Sequence, residues 1–173
     1  MTIRMRGRRH VRVSVNACLV AMLMASAPAH AGQVYFRLSG GAPASDPCLG
    51  RSYDEAHLRR NPRQKVTRIH LRRERVSVPD ENGAERFTVR IGFRLRGDGD
   101  AYAVNGICTT NGAAADCTGE GDTGEFRLEL RGDDVRVSVE RLEVEGARGS
   151  SPDLAASDDR VFLLRPAPLS ACR

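Results

Sequence analysis

FTVRIGFRL, Phe87 to Leu95, alternates without a break: Phe87, Val89, Ile91, Phe93 and Leu95 are apolar, and Thr88, Arg90, Gly92 and Arg94 stand between them. Successive side chains of a β-strand point to opposite faces, so this stretch predicts a strand with one face in a core and the other in water. Gly97-Asp98-Gly99-Asp100 follows with turn chemistry, and Ala101 to Ile107 can return as a hairpin partner. Further along, Phe126-Arg127-Leu128-Glu129-Leu130 alternates in the same way. Gly132-Asp133 then turns the chain into Val135, Val137 and Val139. The pattern slips around Glu140 to Leu142, as a bulge requires. Gln33 to Leu38, Lys65 to Val78 with a break near Arg73, and Val161 to Leu164 bring the expectation to about seven strands. The fold class expected is mainly β: a single antiparallel domain, barrel or sandwich left open, with one short N-terminal helix and two disulfides.

The N-terminus reads as a removable leader. Arg4, Arg6, Arg8, Arg9 and Arg12 precede the nearly uncharged run Val13 to Ala27, and Ala29-His30-Ala31 offers small residues for cleavage before Gly32. About 15 apolar residues fall short of the roughly 20 that a membrane-spanning helix needs. The expected organisation is therefore a signal peptide over residues 1–31 and a β domain over 32–173, periplasmic or secreted and not transmembrane after cleavage. Of the 27 Lys and Arg, five leave with the leader, so 22 face 22 Asp and Glu. A neutral mature chain argues against nucleic acid as a partner, despite the overall pI of 9.3.

Four cysteines remain after Gly32, and in an exported chain they read as two disulfides. Cys108 and Cys117 flank a small-residue loop, TTNGAAAD, and Cys48 and Cys172 lie near the two mature ends. The pairing 108–117 with 48–172 follows, with the two other connectivities left open. Nothing in the cysteine spacing suits a zinc site, and no cofactor is expected.

Charge is unevenly distributed. Arg51 to Arg75 holds nine Lys and Arg against three acids, whereas Arg96 to Arg160 holds seven Arg against fifteen acids. Within the basic stretch, Ser52 with Glu55 reads as a capping box and Asn61-Pro62 as a stop, which predicts a short helix over Tyr53 to Arg60 and a strand after it. The basic and acidic regions can neutralise each other inside the fold. Alternatively Arg59, Arg60, Arg63, Lys65, Arg68, Arg72 and Arg73 form a surface whose guanidinium forks suit oxyanions of an envelope lipid or glycan, or a protein partner.

The arrangement Tyr53-Asp54-x-Ala56-His57-Leu58, continuing through Asn61-Pro62, Gln64, Val66 and Thr67, resembles the opening of a family of small secreted proteobacterial proteins. The stretches CTGEGDTGEF (Cys117 to Phe126) and DDRVFLLR to Cys172 are similar to that family's second half. The resemblance implies export and β architecture, and it carries no activity.

Catalysis has little to build on. His57 and His70 are the two histidines of residues 32–173 that could act as a base, and no G-x-S-x-G stretch accompanies them. Asp116, Glu120 and Asp122 form the best candidate calcium cluster, without the EF-hand pattern. Both Arg-Gly-Asp triplets, at Arg96 and Arg131, fall where a hairpin turn would use Gly-Asp anyway. The function expected is a non-catalytic binding module. The alternatives are an inhibitor of an extracellular hydrolase presenting the Cys108 to Cys117 loop, and a small secreted enzyme using His57 or His70 with an acidic partner.

Overall fold

The computed structural model describes Val34, Leu38 and residues 48–76 and 85–173; the leader expected over residues 1–31 lies outside them. Eight antiparallel strands close into a barrel, which resolves the choice between barrel and sandwich. They are β1 (Cys48–Ser52), β2 (Val66–Val76), β3 (Arg86–Leu95), β4 (Ala101–Asn111), β5 (Ala114–Gly119), β6 (Gly124–Arg131), β7 (Asp134–Leu142) and β10 (Val161–Ala167). A two-stranded ribbon, β8 (Glu145–Gly146) with β9 (Gly149–Ser150), interrupts the run between β7 and β10. From β2 to β7 each strand pairs with the next in sequence, and β1 closes the ring by pairing with both β2 and β10. Closure leaves the barrel no unpaired edge.

Alternation fills the interior. Ile69 and Leu71 from β2, Phe87 to Phe93 at odd positions from β3, Leu128 from β6, Val135 and Val137 from β7, and Phe162 and Leu164 from β10 are all buried in one cluster. Removing such side chains from water stabilises the fold by about 1.5–3 kcal/mol each. Phe126 needs its neighbour to be small: a Cβ on Gly106 would stand 2.7 Å from its ring. The β7 pattern slips as the sequence predicts, with Glu140 and Arg141 both exposed and the β6–β7 register shifting opposite them. On β2 a register shift falls between Arg73 and Arg75.

Both disulfides form as paired from the sequence, Cys48–Cys172 and Cys108–Cys117. The second does not bracket a loop. Cys108 and Cys117 are opposed residues of the β4–β5 hairpin, which turns at Gly112-Ala113 with Gly112 at φ +60°. A positive φ at the first central residue and none at the second is the II′ arrangement that suits strand twist.

Two further expectations are corrected, and one strand is added. Val34 and Leu38 are helical and buried, although Gln33 to Leu38 reads as a strand. Residues four apart share one face of a helix, and a short apolar run satisfies either period. Cys48–Ser52 is a strand that the sequence hides, because Leu49 is its one aliphatic residue. The helix α1 spans Glu55–Arg60 and is capped by Asp54, whose side chain accepts from His57 N, rather than by Ser52, the last residue of β1. Asn61 ends it as expected, donating from its backbone and its side chain to the His57 carbonyl.

Candidate functional site

The register of β1 to β4 lays out the outer face residue by residue. Arg68 stands opposite Arg94, His70 opposite Gly92, and Arg72 opposite Arg90. Beyond them, Gly50 of β1 flanks His70, and Ala103 of β4 flanks Gly92. The result is a low row of small residues crossed by one imidazole, with a pair of directly opposed arginines on either side. The four arginines, His70 and Ala103 line a cavity of about 370 Å³ together with Phe93, Tyr102 and the segment ending in Cys172 and Arg173. The absence of a side chain at Gly92 lets the His70 ring lie across it, since a Cβ would come within 2.6 Å of that ring in its present position.

Like charges directly opposite on a sheet destabilise it, and among the described residues one carboxylate, that of Glu74, is paired with a member of this set of four arginines. Arg72 is paired with Glu74 at 2.6 Å. Arg68 donates to the Ala171 carbonyl at 2.9 Å and Arg90 to the Asn105 side chain at 3.3 Å. These bonds hold the stems while leaving further N–H donors on each five-donor guanidinium. Burial of the His70 ring, then the charges of Arg68, Arg90 and Arg72, push its pKa from 6.5 down to about 4. At neutral pH the ring is uncharged, so one of its nitrogens is a hydrogen-bond acceptor among donors. The wall of the pocket is held covalently, because Cys172 is bonded to Cys48 on β1.

The seven basic residues singled out in the sequence do not form one surface. Arg68 and Arg72 reach the pocket, where Arg90 and Arg94 join them. Arg59 is on α1, paired with Glu55, and Arg60 is exposed beside it. Arg63 pairs with Asp158 at 2.7 Å, and it lines a separate depression with Lys65. Arg73 is buried, at 4 % exposure. The internal-pairing reading of the charge layout thus describes Arg63, which reaches Asp158 of the acidic region, whereas Arg68 and Arg72 share a sheet face with Arg94 and Arg90. Arg90 and Arg94 carried a visible signal, being the polar positions of the same alternation that marks β3, but only the register shows that they meet Arg72 and Arg68.

The residues weighed for other chemistry are engaged elsewhere. His57 shares a 2.8 Å hydrogen bond with Gln64 Oε1. Among the described residues neither histidine is bonded to a carboxylate, and no group of three His, Cys, Asp or Glu is placed to hold a metal. Asp116 accepts from Asn111 and Arg127, and Glu120 from Asn105. Asp98, of the first Arg-Gly-Asp, accepts from Tyr102 Oη at 2.6 Å and from Arg148, which also grips Asp100. The Tyr102 hydrogen bond, then that of the Asp100 backbone, hold Asp98 below its ordinary pKa. That network latches the β8–β9 ribbon onto the β3–β4 turn.

The fold and the site together define a small disulfide-bonded antiparallel barrel with an arginine-ringed pocket on its outer wall. No protein-family model, no curated protein and no solved structure matches the chain. No helix among the described residues is long and apolar enough to cross a membrane.

Proposed function

We propose that residues 32–173 are an exported, non-catalytic module that binds an oxyanion-bearing component of the cell envelope through the outer face of β2 and β3. The observation that carries this reading is the opposition of Arg68 to Arg94 and of Arg72 to Arg90 across a pocket. A sheet face that places like charges opposite each other is suited to an anion that relieves their repulsion, and planar guanidinium groups meet carboxylate and phosphate oxygens in pairs. The two disulfides support export, since such bonds persist in oxidising compartments. The likeness to secreted proteobacterial proteins belongs to the same reading.

The test is co-sedimentation of the oxidised chain with lipopolysaccharide, anionic lipid vesicles and peptidoglycan across a salt series. An Arg68→Ala/Arg94→Ala variant runs alongside. The expected result is binding to at least one of them that weakens with salt and is lost in the variant. Binding to none of the three at low salt refutes the proposal.

A further inference from the structure

We infer that the pocket takes an acidic saccharide, holding its carboxylate or phosphate on the arginine pairs and a sugar hydroxyl on His70. This deepens the anion-binding reading and rests on it. The first argument is shape. The row His70, Gly92, Ala103 runs across three strands, about 10 Å at ordinary strand spacing, and the arginine rows stand about 7 Å to either side. Apart from the imidazole nothing in that row rises above a methyl group. The result is a trough between two basic walls, closed at its β1 end by Cys172 and Arg173 and suited to a flat ring rather than to a compact ion.

The second argument is the inventory of donors and acceptors. Arginine only donates. Glu74 and the Asn105 carbonyl oxygen already accept from Arg72 and Arg90. The ring of His70 has no hydrogen bond to any described residue, and burial with the surrounding cations keeps it neutral. Its free acceptor in the middle of the trough therefore calls for a ligand that donates there while presenting oxyanions to the walls. A uronic acid or sugar phosphate has both groups; sulfate has only the second.

The third argument concerns the membrane. The exposed large apolar residues of the described chain are Ile107, Val161, Leu163 and Leu169, and none of them lines the pocket. Lipid surfaces are held by charge together with apolar insertion; the large apolar residues that line this pocket, Phe93 and Tyr102, are themselves buried and do not project for insertion.

The experiment is isothermal titration of the oxidised chain at fixed ionic strength with a galacturonic acid trisaccharide, its neutral galactose counterpart, sulfate, and phosphatidylglycerol vesicles. The trisaccharide is expected to bind about tenfold more tightly than sulfate, the factor that one additional hydrogen bond supplies, and more tightly than the neutral sugar. His70→Ala should erase that preference while leaving sulfate affinity within about twofold, and His70→Asn, which keeps an acceptor, should restore part of it. Arg68→Ala/Arg94→Ala should weaken both ligands. Sulfate or vesicles binding as tightly as the trisaccharide, or a preference that survives in His70→Ala, overturns the saccharide assignment and leaves the anion site standing. Failure of every anion to bind overturns both.

Discussion

Replacing His70 with Gln should remove a specific acid sensitivity from the barrel. In the folded chain the ring's pKa lies near 4, because burial and then Arg68, Arg90 and Arg72 disfavour the imidazolium; in the unfolded chain it returns to 6.5. The folded state therefore binds fewer protons between those values. Above pH 6.5 the ring is neutral in both states and contributes nothing to the pH dependence. As pH falls from 6.5 to 4 the unfolded state gains a proton that the folded state refuses, so stability is lost; below 4 the loss is complete and constant. The full difference would correspond to about 3 kcal/mol at about 1.4 kcal/mol per pH unit. The ring is only half-buried and its arginine neighbours are reached by water and salt, so about 1 kcal/mol is the expected size. The assay is urea unfolding of both proteins at closely spaced pH values between 7.5 and 3.5. Carboxylates such as Asp98 and Asp116, held below their ordinary range, titrate in both proteins and cancel in the difference. Parallel curves for the two proteins from pH 7 to 4 would refute the reasoning. An anion bound on Arg68, Arg72, Arg90 and Arg94 should raise the His70 pKa, which NMR titration in saturating sulfate would register.

Other perturbations test the frame around the site. Cys48→Ala/Cys172→Ala opens a loop of sequence separation 124, for which chain entropy gives about 5 kcal/mol, against about 3 for the separation of nine at Cys108 and Cys117; the thermal midpoint should fall by about 10–15 °C, and an unchanged midpoint would show that the bond does not constrain the unfolded chain. Asp159 is fully buried and accepts from the backbone of Lys65 and Val66 and from Ser157 Oγ. Asp159→Ala should cost about 2–5 kcal/mol in chemical denaturation by stranding those donors, with amide exchange at the start of β2 accelerating first. Gly106→Ala should cost about 1–3 kcal/mol by driving a methyl group into Phe126. Gly92→Ala meets the His70 ring first, which can swing outward, and should cost less than about 1 kcal/mol while abolishing ligand selectivity; equal destabilisation by the two substitutions would contradict this placement.

The strands legible in the sequence are those with one wet and one dry face. Phe87 to Leu95 carries a period-two pattern over nine residues, and Phe126 to Leu130 and Val135 to Val139 carry it over five each on either side of a Gly-Asp turn, with even the bulge at Glu140 visible. What stayed hidden has a physical cause in each case. Ala114 and Ala115 are poor strand formers, and the β4–β5 pairing and the disulfide hold them extended. Leu49 alone could not announce β1. Asp54 outcompetes Ser52 as a cap because Ser52 is still paired to Arg68 in the sheet. The pocket was half visible: Arg68, Arg72 and His70 stood in a conspicuous basic run, but Arg90 and Arg94 belong to it only through pairing between strands, which a linear reading does not supply.

The bond between Cys48 and Cys172 turns everything from the first barrel strand to the last into a covalent ring. A single peptide cleavage in any turn within that ring converts it to an open chain without dividing it, so the two sides of the cut remain tethered and the barrel can close again. Damage at one exposed loop is thereby separated from loss of the molecule, and only a second cut or a reductant would release a fragment.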